Sequence, residues 1–177
     1  MTIVDHYVAM ARYNAWMNQK IYDAAVKLPD EARRRPLGAF FGSLHGTLNH
    51  LVLTDRAWLV RFMQDPSLLQ SLDGTTPAFT GRLDQELYDD FATLRREREK
   101  TDADIGRFAA GLAESALADS ISYYSVAYAR QYEHPLWWAV SHFFNHQTHH
   151  RGQATTLLSQ LGVDSGTTDL ADLLRNE

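Results

Sequence analysis

Four stretches of the chain repeat apolar residues in alternating steps of three and four. That is the period of a helix burying one seam in a bundle. In residues 2–28 the seam is Ile3, Tyr7, Met10, Met17, Ile21, Ala24 and Leu28, and in residues 41–63 it is Leu44, Leu48, Leu51, Trp58 and Phe62. Val52, Leu53, Leu59 and Val60 make the second stretch apolar on more than one side, so it is expected to pack deeply. Residues 84–112 carry Leu87, Phe91, Leu94, Ile105, Phe108 and Leu112; residues 135–161 carry Leu136, Val140, Phe143, Ala154, Leu157 and Leu161. Pro135 suits a first helical position and Gly162 the position just past a helix end.

The intervening segments lose this period. Pro29 and the Arg33–Pro36 run end the first helix. Residues 64–82, with Gly74, Pro77 and Gly81, read as a long surface loop, a kind often functional. Residues 113–133 alternate aromatic and β-branched positions and predict a short hairpin or an irregular connection. The tail after Gly162 reads as a turn and one short helix. The expected fold is all-α: a four-helix bundle with one long crossover and a short C-terminal helix, in a single domain over residues 1–177.

Each seam is interrupted by a polar residue: Asn14, Asp55, Arg98 and His150. A buried unpaired polar group costs on the order of 1–3 kcal/mol. Four of them predict either a buried polar network or a solvated cavity between the helices.

Composition narrows the chemistry. The chain has no cysteine, which excludes disulfides, Cys-based metal sites and a Cys nucleophile; any sulfur nucleophile must come from outside. The formal net charge of -5 and the single short basic run Arg33-Arg34-Arg35 argue against a nucleic-acid partner. No apolar run approaches the roughly 20 residues that span a bilayer, and no signal peptide is evident, so no membrane partner is expected and a cytoplasmic location is.

Four of the eight histidines lie in the Ser141–Gln153 stretch, with His142, His146 and His150 at four-residue steps. Side chains four apart share a helix face, and two imidazoles so placed can grip one divalent ion. The glutamate of a His-Glu-x-x-His motif is missing, so a zincin-type base is not expected. His146 and His150 read as two ligands. For a third, His134 is about three turns from His146, His45 faces away from Trp58, and His6 is near the terminus. His50 flanks the second seam and is the best candidate. With no Glu-x-x-His pair in the chain, a ferritin-like di-iron site is disfavoured. Asp55 has two readings, a carboxylate orienting an imidazole or half of an ion pair with Arg98 or Arg151, the second somewhat favoured.

Several segments together resemble the DinB/YfiT-like metalloprotein family: Asn14-x-Trp16 with Asn18, Leu48-Asn49-His50 followed by Asp55 and Trp58, Asn145-His146-x-x-x-His150-Arg151-Gly152-Gln153, and the Gly166-x-x-Asp169 tail. The resemblance implies a damage-inducible type of four-helix bundle, a homodimer, and one divalent metal ion held by His50, His146 and His150. Zinc or nickel suits that all-imidazole set best. His149 falls where similar proteins carry an aromatic residue or another His, which leaves open whether it competes as a ligand. The resemblance points to enzymes that use a low-molecular-weight thiol, transferases or isomerases, acting on a small-molecule substrate. Metal-dependent hydrolysis is a further option, and Asp55 and His149 are the candidate proton-handling residues. The alternative is a non-enzymatic, metal-stapled binding protein of the stress response. Substrate specificity is expected to lie in residues 64–82 and 113–133.

Overall fold

The structure, a computed structural model, describes residues 2–175. Its four long helices are α1 (Ile3–Ala25), α3 (Leu44–Met63), α4 (Phe91–Ala110) and α5 (Leu136–Gln160). Short helices α2 (Asp30–Arg34) and α6 (Leu170–Arg175) flank them, and strands β1 (Ser120–Ser125) and β2 (Arg130–Pro135) form one antiparallel hairpin. The all-α bundle read from the seams is present, and among the described residues this two-stranded sheet is the one sheet beside it. Among the described residues no helix is long and apolar enough to cross a membrane.

Local chemistry sets the helix ends. Thr2 and Asp5 form a reciprocal capping box on α1, Ser43 caps α3 through the Gly46 amide, and Asp90 caps α4 through the Thr93 amide. The Asp90 cap corrects the expected boundary of the third helix. Residues 84–90 are not helical, although Leu87 keeps the seam spacing, because the amides of Leu87 and Tyr88 are bound instead to the Asn49 side chain. Pro135 caps α5 rather than occupying its first turn, and Gly162 adopts the expected positive φ, 77°.

Cross-helix contacts give the topology. Asn14 meets Asp102 and Arg95 meets Asp23, so α1 and α4 run antiparallel. Asp55 meets Arg98 and Phe62 meets Phe108, so α3 and α4 run parallel. Tyr7 meets Ser141 and Asn14 meets Arg151, making α1 parallel to α5, whereas the pairing of Trp58 with His142 and of His50 with His150 makes α3 antiparallel to α5. The order is therefore up, down, down, up. Two adjacent parallel helices require a connection that climbs back the full length of the bundle. Residues 64–90 make that return, which explains a loop this long in a small fold.

Three of the four polar seam residues, Asn14, Asp55 and Arg98, meet in one layer, while His150 lies apart from it. The layer separates two apolar clusters, one around Met17, Leu48, Leu94 and Leu157, the other around Tyr7, Leu59, Ile105 and Phe143. Arg98 contacts Asp55 at 2.6 Å and Asp102 at 2.9 Å, the second without hydrogen-bond alignment. Asn14 and Asn18 both donate to Asp102, and Arg151 donates to Asn14. Of the two expectations for these residues, the network is what forms. Burial pushes the Asp55 and Asp102 carboxyls up. Burial also works against the charge on Arg98, but the two carboxylates more than offset it and hold the guanidinium protonated. Two carboxylates sharing one cation titrate as a unit.

Candidate metal centre

The crossover is what builds the site. Fully buried Asn49 of α3 accepts from the amides of Leu87 (2.8 Å) and Tyr88 (2.9 Å) and donates to the Tyr88 carbonyl (3.1 Å). His45 Nε2 holds the same carbonyl at 2.9 Å. Farther along α3, Arg56 pairs with Glu97 at 2.5 Å and donates to the Tyr88 hydroxyl, while Glu97 accepts from the Leu72 amide at 2.7 Å. The chain so pinned brings the Leu83 carbonyl to 2.7 Å from His50 Nδ1.

That contact fixes the tautomer of His50. A carbonyl only accepts, so Nδ1 carries the proton and Nε2 keeps its lone pair. Nε2 is buried and has no hydrogen-bond partner. On α5, His150 Nδ1 donates to Gln153 Oε1 at 2.8 Å, which likewise leaves its Nε2 as the free base. His150 Nε2 stands 3.1 Å from His146 Nε2. The three histidines each offer a ligand atom, and these atoms lie within 4.8 Å of one another. Phe41 stacks on His50 with ring centres 3.8 Å apart and sets its edge to His150.

The residues fit a divalent ion. At metal–nitrogen distances of ~2.0–2.1 Å, two ligands at a tetrahedral centre stand about 3.3–3.4 Å apart, close to the His146–His150 separation. Shifting the His146 proton to its own Nδ1 would leave three lone pairs facing one point. Burial, joined for His146 by its histidine neighbours, pushes His50 down to about 4 and His146 down to about 3; burial also lowers His150. All three are therefore neutral at pH 7, the protonation state a metal ligand requires.

Other candidates from the sequence fall elsewhere. Asp55 lies in the polar layer with Arg98 and hydrogen-bonds none of the three imidazoles. His149 is exposed and touches the site indirectly: the Gln153 amide nitrogen, whose oxygen holds His150, lies 3.3 Å from His149 Nε2. His142 is half-buried and stacks on Trp138.

Beside His50 and His146 opens a cavity of about 310 Å³. Its walls come from α3 (Thr54, Trp58, Arg61), from α5 (Trp138, His142), from the crossover (Phe79, Leu83) and from the hairpin (Tyr123, Tyr128, Tyr132). Sequence reasoning missed Asn49, Phe41, Leu83 and Arg61 as parts of this region. Only Asn49 left a trace, as a polar residue next to His50 in a helix otherwise apolar on several sides.

Comparisons with known proteins agree with this architecture. The DinB family profile matches residues 3–177. The chain is 25% identical over 179 residues to Protein DinB of Bacillus subtilis (strain 168), spanning 93% of this chain and 91% of that protein. A crystal structure of a DinB-like protein from Bacillus cereus ATCC 10987 is similar with a TM-score of 0.65 and 19% identity, over 92% of this chain and 95% of that one.

Proposed function

The chain belongs to the DinB family, and from that premise we propose that it is a metal-dependent enzyme using a low-molecular-weight thiol, with one zinc or nickel ion held by His50, His146 and His150. The observation that carries this reading is the convergence of three imidazoles, two of them with Nδ1 tied outward, beside a walled cavity. Three protein ligands leave a coordination position open, the pattern of a catalytic rather than a closed structural site. An ion bound there supplies a Lewis acid that ionises a thiol, or water, at neutral pH.

The protein's own residues do the rest. The Leu83 carbonyl and Gln153 hold the ligand rings in one orientation, and Phe41 covers the outer face of His50. Trp58, Phe79 and Trp138 give the cavity apolar walls that exclude water from a reacting sulfur. Because the chain has no cysteine, the sulfur belongs to a cosubstrate. His149, linked to His150 through Gln153, is positioned to pass a proton to solvent.

Tag-free protein should contain about one divalent ion per chain, by the ligand count of one site, and His146→Ala should lose it. Small thiols should shift the visible spectrum of the cobalt-substituted form. A cobalt spectrum indifferent to thiols would favour a metal staple between α3 and α5, and turnover of thiol plus electrophile that survives metal removal would sink the mechanism.

A further inference from the structure

Arg61 carries a charge that no carboxylate among the described residues answers. It lies on α3 at helical spacing from His50, through Thr54, Ala57 and Trp58, and lines the same cavity. Its guanidinium carbon sits 4.3 Å from the ring centre of Tyr123 and 4.7 Å from that of Trp58. Among the described residues no Asp or Glu pairs with it. Two interior arginines differ: Arg56 holds Glu97 at 2.5 Å and Arg98 holds Asp55 at 2.6 Å; a third, Arg151, lies in the polar layer and donates to Asn14 and Thr148.

The cavity itself contains no acid. Its titratable walls are Arg61, three tyrosines and the imidazoles of His50, His134, His142 and His146. This is notable in a chain of net charge -5. Burial draws the Arg61 pKa below its ordinary value, as it does for a cation lacking a counter-ion, yet a guanidinium stays protonated at neutral pH. With aromatic rings against it, the group keeps N–H donors for a ligand, and its planar fork matches a carboxylate. Leu53, Phe79, Leu83 and Trp138 offer an apolar body few polar partners. His50 and Arg61 are eleven residues apart, roughly 16 Å of helix, and the arginine side chain leans back toward His50. That span suits an elongated ligand.

We propose that the cavity binds a small organic carboxylate with a flat, apolar body, the carboxylate held by Arg61 and the far end directed toward His50 and His146. The inference deepens the proposed function by naming its electrophile as an anion. It rests on that reading only for the chemistry, because the binding step needs no metal.

Calorimetric titration of the metal-free chain with cinnamate and its neutral analogue cinnamamide tests this. Wild type should prefer cinnamate by at least about tenfold, the scale of one charge-assisted hydrogen bond. Arg61→Gln should erase the preference. If Arg61→Gln does not fold, Arg61→Lys decides: losing the fork should weaken cinnamate and leave cinnamamide unchanged. No preference in wild type, or one that Arg61→Gln or Arg61→Lys leaves intact, overturns the proposal. Cinnamate that binds only the metal-loaded form, whatever stands at 61, also overturns it but leaves the metal centre standing. Arg61-dependent binding in a protein that never takes up metal would do the reverse.

Discussion

Asn49→Ala separates the crossover from the helix it braces, and its effect can be worked from the contacts. The substitution removes hydrogen bonds of 2.8 and 2.9 Å from the Leu87 and Tyr88 amides and one of 3.1 Å to the Tyr88 carbonyl. The carbonyl keeps His45 as a partner, so its loss is small. The two amides keep none; an orphan donor costs about 1–3 kcal/mol when buried, as the Tyr88 amide is, and toward the lower end when partly buried, as the Leu87 amide is. The expected destabilisation is about 2–5 kcal/mol, concentrated in the crossover because Arg56, Glu97 and Tyr88 still tie its earlier part to α3 and α4. Four residues before Leu87, the Leu83 carbonyl would lose its fixed position at His50 Nδ1. Removing an outer partner of a ligand imidazole weakens metal binding by about 10–100-fold. Urea melts give the first quantity, hydrogen exchange at residues 83–88 locates it, and chelator competition gives the second. If metal affinity holds within about twofold while the crossover amides exchange freely, the crossover does not orient His50 and the construction of the site given above fails.

Gly46→Ala should cost about 1–3 kcal/mol by overpacking, since the new methyl would lie 2.3 Å from the Phe41 carbonyl oxygen; chelator competition should show weaker metal binding as Phe41 is pushed off His50. Lowering the pH from 7 to 5 should cost the metal-free wild type more stability than metal-free His146→Gln. His50 and His146 have folded pKa values of about 4 and about 3, below the ordinary 6.5, so the unfolded chain binds more protons once the pH falls under 6.5. Each group contributes up to about 1.4 kcal/mol per pH unit, opposed by the raised Asp55 and Asp102 carboxyls, which His146→Gln leaves in place; urea melts in which the variant loses as much stability as wild type would contradict the burial of the His146 ring. Asp55→Ala should cost about 3–5 kcal/mol by breaking a buried pair, read from a thermal or urea melt; a loss under about 1 kcal/mol would mean that water already solvates the layer.

The bundle was legible in the chain because a seam is a local, periodic signal. Tyr7, Leu48, Leu94 and Leu157 are buried where the three-four spacing puts them. His146 and His150 were legible for the same reason, being one turn apart on one helix. The spacing failed at Leu87, where a tertiary partner, the Asn49 side chain, takes the amides that a helix would have used. Seam spacing also could not say that Asn14, Asp55 and Arg98 lie at one level, since that depends on how far each helix is shifted along its neighbour. The Leu83 carbonyl on His50 and the stacking of Phe41 are contacts of irregular backbone, for which residue type carries almost no signal. Arg61 looks in sequence like any solvated residue near a helix end.

Polar residues inside an apolar seam look alike in sequence, and their hydrogen bonds tell them apart. In the layer of Asn14, Asp55, Arg98, Asp102 and Arg151 most of the polar groups are directed at one another, donor to acceptor and cation to anion. Such a set meets its charges from within the chain and fixes the register of the helices. The histidines are arranged in the opposite sense. His50 and His150 spend their donors on groups facing away from the site, the Leu83 carbonyl and Gln153, so their lone pairs are left for the interior. A proton on His146 Nε2 can lie between His146 and His150, but the buried His50 Nε2 has no donor, and burial keeps further protons off the rings at neutral pH. Arg61 is the complementary case, a cation in a cavity without acidic walls and without an ion pair among the described residues. The charges of the layer balance within the chain, two carboxylates against two guanidiniums, whereas the imidazole cluster lacks a cation and the cavity beside it lacks an anion; a bound metal ion and an anionic substrate would supply the two.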